Sequence, residues 1–553
     1  MPKITFQLND LNALVGKKIS EEELEEMMSY YAKGELESYD EKTDEVIVSL
    51  DDTNQPALWS VEGLARLFRH VLGLQKGIPE MQVTKEGYVI EVDPSVKNVR
   101  PFISAFVFKG KPLDDYLLKQ LIQLQEKIAE GYGRKRQKLS IGLYPASKVK
   151  FPIRYTTVAP DGIKFVPLEF SKELTPAEIL EQHPKGKEYA WILKGAKRYP
   201  LLIDSNNHVL SMAPIINSEF TGKLEVGDRE VLFEITGTDE ESVYLATNIF
   251  AQNLSERGYE IFSTAILYKD RKVISPHPFN EKIRISKEQV KRLLGLDLSD
   301  LEIKRLVEKA GYDFSNYTVS IPPYRADIMH PFDVIEDIAI MYNFGRIKPL
   351  PLESYTVGCT TPEVKFADKV RELVIGLGCQ EILSTVLSNT DAICTKMGVP
   401  SSGTVEIENY MSETYSAVRS WLLPMLMEFL SKNKHVDYPQ RIFEQGLVVV
   451  KSGNKLADVE KLAVAFAHST ADFTEIKQAM EALFRALGVD YTIKPEEHSS
   501  FIRGRCGSIY VNKKAVAIIG EISPAVLSAW GIEVPVAALE IDLTSLMESI
   551  GKK

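Results

Sequence analysis

Short runs of β-branched and aromatic residues alternate with stretches of helical periodicity along this chain, which confines it to architectures that mix helix and sheet. Glu45-Val-Ile-Val-Ser-Leu50 reads as a strand, and Trp59 to Leu72 carries apolar residues at helical spacing. Ser20, followed by the acidic run 21–26, reads as a capped helix start with a solvated charged face. Asp51-Asp-Thr-Asn-Gln-Pro56 between them reads as a polar turn. Farther on, Ala105-Phe-Val-Phe108, Tyr199-Pro-Leu-Leu-Ile203 and Val231-Leu-Phe-Glu-Ile-Thr236 are strand-like, among amphipathic helices expected at 112–130 and 241–257. Beyond residue 350, helices at 363–378 and 414–433 accompany strands at 441–450, 515–522 and 536–542, the pattern of an α+β domain with a largely antiparallel sheet.

At roughly 150 residues per domain, 553 residues accommodate three to four domains. The divisions expected are an N-terminal α/β domain over 1–90, a mixed α/β domain over 91–270, a small winged-helix-like helical module over 271–350, and an α+β domain over 351–553. With 44% hydrophobic and 26% charged residues the chain can bury several cores, which excludes fibrous and disordered classes. A net charge of −11 argues against holding nucleic acid by bulk charge. Arg134-Lys135-Arg136-Gln-Lys138 is the candidate for local contact with RNA phosphate, with a solvated loop after a helix as the alternative. Cys359, Cys379, Cys394 and Cys506 form no CxxC pair and read as reduced thiols, without zinc or a disulfide. No leader-like N-terminus and no apolar run of about 18 residues occur, so a cytoplasmic protein without membrane contact is expected.

The densest chemistry lies in the segment from Ile321 to Tyr342. Two prolines hold its entry extended, and either Pro331 or Asp333 can open a helix. Asp333, Glu336 and Asp337 then share one helical sector, and Asp327 precedes them. Such carboxylates repel one another unless a cation or an arginine neutralises them. An oxygen-only donor set suits Mg²⁺. Arg325 is the other candidate partner, and plain stabilisation of the helix dipole is a third reading.

Pro322-Pro-Tyr-Arg-Ala-Asp327 followed by Asp333-Val-Ile-Glu336-Asp337 resembles the signature of phenylalanyl-tRNA synthetase β subunits. Asp51-Asp-Thr-Asn-Gln-Pro-Ala-Leu-Trp-Ser-Val-Glu-Gly-Leu-Ala-Arg66 resembles their N-terminal region. Ser211-Met-Ala-Pro-Ile-Ile-Asn-Ser218 and Thr236-Gly-Thr238 are similar to the editing domain. Val418-Arg-Ser-Trp-Leu-Leu-Pro424, Arg441-Ile-Phe-Glu-Gln-Gly446, Phe501-Ile-Arg-Gly-Arg505 and Ile519-Gly-Glu-Ile522 are similar to the last domain. The resemblance runs the length of the chain and, without an inserted oligonucleotide-binding domain or a further anticodon-binding domain, fits the archaeal/eukaryotic type.

The resemblance implies a subunit of phenylalanine–tRNA ligase paired with an α subunit in an α2β2 heterotetramer that acts on tRNA(Phe). It further implies Mg²⁺ ligands at Asp327, Asp333, Glu336 and Asp337, in a site shared with the α subunit. The family's last domain has a class II synthetase-like fold. Here the strand Val536-Ala-Ala-Leu-Glu-Ile-Asp-Leu543 runs into Thr544-Ser-Leu-Met without the glycines and arginine that would grip ATP, and signatures of the HIGH and KMSKS type are absent. The complex would therefore use ATP that this chain does not bind, with Arg419 and Arg441 structural or interfacial.

A phenylalanine site rejects tyrosine poorly, by about 10²-fold, so a second, hydrolytic site is physically motivated. Alternation along 231–236 puts Val231, Phe233 and Ile235 in a core and Leu232, Glu234 and Thr236 on the opposite face, which is either a pocket or a solvated surface. In the pocket reading Glu234 accepts the phenol proton of misattached tyrosine, beside Ser211, Asn217 and Thr236. No Ser-His-Asp order appears, and His183 and His208 read as surface or structural residues. Two alternatives stand: a tRNA-binding scaffold without hydrolysis, and a Mg²⁺-dependent phosphotransferase, which the absence of GxxxxGK[ST] disfavours.

Overall fold

The computed structural model describes residues 2–51, 54–453 and 455–550, which divide into two compact units, Met1–Pro351 and Leu352–Lys553. The polar turn expected at 51–56 falls partly on Asp52 and Thr53, outside the described residues.

Among the described residues of the first unit, ten strands form one sheet. At its heart Glu230–Gly237 lies antiparallel between Phe102–Lys109 and Leu139–Pro145, with Glu234 opposite Ala105 on one side and Gly142 on the other. Val231, Phe233 and Ile235 face a core containing Phe106, Phe108 and Phe250, and the Phe233 ring lies 4.8 Å from Phe106 and 4.5 Å from Phe250. Leu232 faces the other way, among Val107, Tyr144, Tyr155 and Leu202. Neither face of this strand is wet.

The helix Glu240–Glu256 starts where the Asp239 side chain accepts from the Ser242 amide at 2.9 Å. Ser242 through Asn253 are all buried, so this is an internal helix and not the amphipathic one expected at 241–257. What buries its outer side is the N-terminal segment: Ile4, Phe6, Val46, Val48, Trp59 and Phe68 belong to the same core as Phe233 and Phe250. Ion pairs close the seam, Arg66 and Arg69 with Glu256 at 2.8 and 2.6 Å, and Arg257 with Asp10 at 2.7 Å and with Glu62. The division expected at residue 90 falls inside the strand Val83–Val92.

Residues 282–342 build the helical module. Ser286 and Ser299 cap Lys287–Leu294 and Asp300–Lys309 through reciprocal bonds with Gln289 and Glu302. The short strands Asp313–Ser315 and Thr318–Ser320 then turn through Asn316 and Tyr317 in left-handed conformations. Pro331 opens the helix Pro331–Tyr342, whose Val334, Ile335 and Ile338 pack on Ile303, Val307 and Val319.

In the second unit the sheet is antiparallel except where Gln380–Glu381 lies parallel to Gln440–Ser452. The helix expected at 414–433 is only Leu423–Lys432. Pro424 fits its first turn, and the stretch before it is drawn into a small sheet in which Ala417–Val418 pairs with Leu387–Ser388 and Val405–Glu406. Buried Glu540 accepts from the Leu422 and Leu423 amides, both at 2.9 Å, and so holds that helix start. All four cysteines are free, and no described helix is long and apolar enough to cross a membrane.

Arg419 is 2% exposed and donates to Glu444 at 2.6 Å, to Ser384 Oγ at 2.9 Å and to the Leu447 carbonyl at 2.9 Å. Replacing it by methionine strands the Glu444 charge in the interior. Arg419→Met should cost about 3–5 kcal/mol, read as lost hydrogen-exchange protection along Gln440–Ser452. A loss under about 1 kcal/mol would place the pair with solvent-screened surface bridges.

Candidate functional site

The covered sheet face opens at one place into a cavity of about 550 Å³. Its walls include Ser140, Gly142, Tyr144, Ser211, Asn217 and Glu234, and the helix Asp115–Lys127 contributes Gln125, Glu126 and Lys127. Three of the four residues expected at an editing pocket therefore meet here. Ser211 and Asn217 face each other across paired strands. Thr236 does not line the cavity: it is fully buried, with Oγ1 accepting from Arg100 Nε at 3.1 Å and lying 3.2 Å from Ser140 Oγ.

Glu234, 2% exposed, accepts from the Tyr144 hydroxyl at 3.0 Å through Oε2, whereas Oε1 has no hydrogen-bond partner. Burial pushes its pKa up to about 7, against the opposing pull of the Tyr144 hydrogen bond, the Arg100 charge and the nearby Thr236 hydroxyl. Ser211 Oγ lies close enough to the Tyr144 phenol to act on it but is also buried without a well-formed hydrogen bond. Unsatisfied buried polar atoms are rare in folded proteins and costly. Two that wall one ligand-sized cavity mark a site awaiting polar groups.

Gly142 is what leaves the space open. A Cβ at this position would stand 2.2 Å from the Tyr144 hydroxyl and 2.7 Å from Glu234 Oε2. Arg100 closes the rear: 1% exposed, it donates to the Thr236 and Gln137 carbonyls and to Ser140 Oγ, with burial holding its pKa down to about 10. Gly142, Tyr144 and Arg100 escaped the sequence reading. The signal for two of them was the alternation of Ser140, Gly142 and Tyr144 with Leu139, Ile141 and Leu143. His183 is buried and structural, receiving the Lys185 amide at 3.1 Å, and His208 pairs with Asp204.

The four carboxylates expected to hold Mg²⁺ are placed differently. Arg325 takes Asp327 with two bonds of 2.7 and 2.5 Å and reaches Asp337 at 3.2 Å. Asp337 is further bonded by the Tyr312 hydroxyl, and burial pushes its pKa up against the Arg325 charge. Asp333 receives the Met329 and His330 amides at 2.8 and 2.7 Å as the start of its helix, and half-exposed Glu336 pairs with Lys33 at 2.7 Å. Among the described residues no group of three or more His, Cys, Asp or Glu is arranged to hold a metal ion. Within this chain the quartet does not fit Mg²⁺. Arg325, one of the partners that spacing left open, neutralises Asp327 and Asp337, whereas Lys33 takes Glu336 and Asp333 serves its helix start.

The tRNA synthetase B5 domain family matches residues 283–344, and the phenylalanyl tRNA synthetase beta chain CLM domain family matches residues 348–543. The phenylalanine–tRNA ligase β subunit of Pyrococcus abyssi is 44% identical over 557 residues, covering 99% of this chain and 100% of that protein. That of Archaeoglobus fulgidus is 40% identical over 503 residues, covering 90% and 91%. The crystal structure of an N-terminal fragment of the phenylalanyl-tRNA synthetase β subunit from Pyrococcus horikoshii superposes with a TM-score of 0.60 at 40% identity, covering 62% of this chain and 99% of the fragment.

Three outcomes follow from these geometries. Folded Glu234 holds its proton up to about pH 7, whereas the ordinary value is 4.5. Across that window the folded state binds more protons than the unfolded chain, so stability falls as pH rises and the contribution is fully lost above about pH 7. Glu234→Gln should flatten this part of the unfolding profile, by about 3 kcal/mol end to end. Arg325→Ala leaves Asp327 and Asp337 uncompensated, so urea unfolding should shift by about 3–5 kcal/mol. EDTA should leave the unfolding of the natural chain unmoved.

Proposed function

This chain belongs to the phenylalanine–tRNA ligase β subunits, and we propose that it proofreads for the ligase by hydrolysing Tyr-tRNA(Phe) in the cavity around Glu234. A ligase β subunit implies an α-subunit partner and tRNA. In the reading offered here the α subunit activates phenylalanine with ATP and attaches it, in a cytoplasmic α2β2 assembly. The α+β unit, class II-like in shape, holds no nucleotide. The buried bond of Arg419 to Glu444 and the surface ion pair of Arg441 with Glu475, at 2.5 Å, support that assignment.

The observation that carries the proofreading reading is the unpartnered pair, Glu234 Oε1 and Ser211 Oγ, in the wall of one cavity. Tyrosine differs from phenylalanine by a hydroxyl. A tyrosyl group can donate that hydroxyl to Glu234, whereas phenylalanine leaves the acid buried and unsatisfied. A site built to hydrogen-bond a hydroxyl discriminates far better than an apolar pocket does. The ester to be cut is already activated, so no protein nucleophile is needed. Water adds to the carbonyl carbon, the bond to the ribose oxygen breaks, and tyrosine leaves with the tRNA 3′ terminus restored as a hydroxyl. Ser211 Oγ stands beside the Tyr144 hydroxyl that also binds Glu234, so it belongs with Glu234 at the phenol end of the site. Mg²⁺ and ATP belong to the ligase reaction, and no step of this hydrolysis passes through them.

Incubated with the natural complex, Tyr-tRNA(Phe) should lose its ester while Phe-tRNA(Phe) persists. Glu234→Ala should slow the loss at least tenfold, about 1.4 kcal/mol of transition-state stabilisation. An unchanged rate would remove Glu234 from the site. A complex that binds Tyr-tRNA(Phe) without cutting it would leave the scaffold reading in its place. The purified chain by itself should catalyse no phenylalanine-dependent pyrophosphate exchange.

A further inference from the structure

A second concavity of about 730 Å³ lies beside the first, walled by Pro2, Trp59, Tyr132 and four cations, Lys127, Arg134, Lys135 and Lys138. The two cavities adjoin, sharing Lys127 and Glu130 in their walls. Lys138 pairs with Asp239 at 3.4 Å and lies over the Tyr132 ring. Among the described residues no ion-pair partner faces Lys127, Arg134 or Lys135. Three uncommitted cations along one groove stand out on a chain whose net charge is −11.

The backbone that presents them is held firmly. Arg134, Lys135 and Arg136 are consecutive non-glycine residues at φ +51°, +52° and +64°, each in the left-handed region and each costing on the order of 1 kcal/mol. Backbone bonds from Lys135 to Glu130, Arg136 to Ala129 and Lys138 to Gly133, at 3.0, 2.9 and 2.8 Å, fix the turn. Arg136 anchors it inward, donating to the Ile215 carbonyl at 3.1 Å and lying over the Tyr189 ring at 4.2 Å, both in the wall of the Glu234 cavity. A merely solvated loop has no need of such strain or such anchoring. Together they set two exposed cations in a groove that adjoins the reaction cavity.

We propose that this groove carries the phosphodiester backbone of the single-stranded acceptor end of tRNA and feeds its aminoacylated 3′ terminus into the Glu234 cavity. This rests on the proofreading reading for what lies at the groove's end. The groove itself is supported by its charge, its rigidity and its position beside that cavity. Lys127, Arg134 and Lys135 take phosphates, and Tyr132 offers a ring beside them for base stacking.

The test uses the assembled ligase and a labelled single-stranded oligoribonucleotide ending in CCA, with affinity followed by anisotropy across a salt series. Asparagine tolerates the left-handed conformation, so the double variant Arg134→Asn, Lys135→Asn removes charge without unsettling the turn. Lys127→Gln, on a helix, removes charge with no special backbone demand. Losing two phosphate contacts should weaken binding about tenfold and lower the slope of log affinity against log salt by about 1.4. Hydrolysis of Tyr-tRNA(Phe) should show the loss in KM while kcat stays within about twofold. Unchanged affinity and slope in both variants would overturn the groove. So would a weakened α-subunit association with RNA binding intact, since the cations would then serve a protein partner. A natural complex that binds the oligonucleotide in this salt-dependent way yet leaves Tyr-tRNA(Phe) intact would sink the proofreading reading and keep the groove.

Discussion

A strand buried on both faces leaves its polar side chains few partners, and the strand Glu230–Gly237 is in that position except where Glu234 meets the cavity. Thr236 meets the constraint through Arg100 and Ser140. Glu234 meets it with one oxygen only. Leaving a carboxylate half-satisfied in the interior costs on the order of 1–3 kcal/mol, a large share of any domain's net stability. Everything around it serves to keep that oxygen reachable: a glycine opposite, a tyrosine to hold the other oxygen, and a buried arginine whose positive field limits how far the acid drifts towards neutrality.

Elsewhere the chain uses buried charge for the opposite purpose. Arg325 gathers Asp327 and Asp337 in the first unit, and Arg419 holds Glu444 in the second, each guanidinium spending its donors on internal partners. Such pairs contribute little net energy beyond what apolar side chains would supply, but they are intolerant of losing one member. A sequence rich in carboxylates therefore does not by itself advertise a metal site. Whether an arginine reaches them first decides the matter, and reach is a property of the fold.

That distinction explains what could be read beforehand. The alternation in 231–236 showed which residues share a face, because a period of two is a local property. It left open whether the second face is wet or covered, since that depends on Tyr155 and Leu202, distant in sequence. Glu234 follows from that alternation and Ser211 and Asn217 lie in the family motif, and all three converge on one cavity. Arg100 was missed because nothing local sets it apart from a surface arginine, and Thr236 was set in the cavity wall because its commitment to Arg100 spans 136 residues. The helix at 414–433 was overextended: its periodicity was read across Pro424, whose fixed φ marks a first turn.

The seam between the N-terminal segment and the helix Glu240–Glu256 bears on how the chain comes into being. Asp10 waits for Arg257, 247 positions later, and Ser60 for Asn253, 193 later. During synthesis the apolar side of the first seventy or so residues finds partial cover from Phe106 to Leu143 and is closed only once the helix Glu240–Glu256 has followed. Contacts of such span make for slow assembly and a long period of vulnerability to self-association. The earliest part of the polypeptide to leave the ribosome thus completes its packing only after residue 257 has emerged.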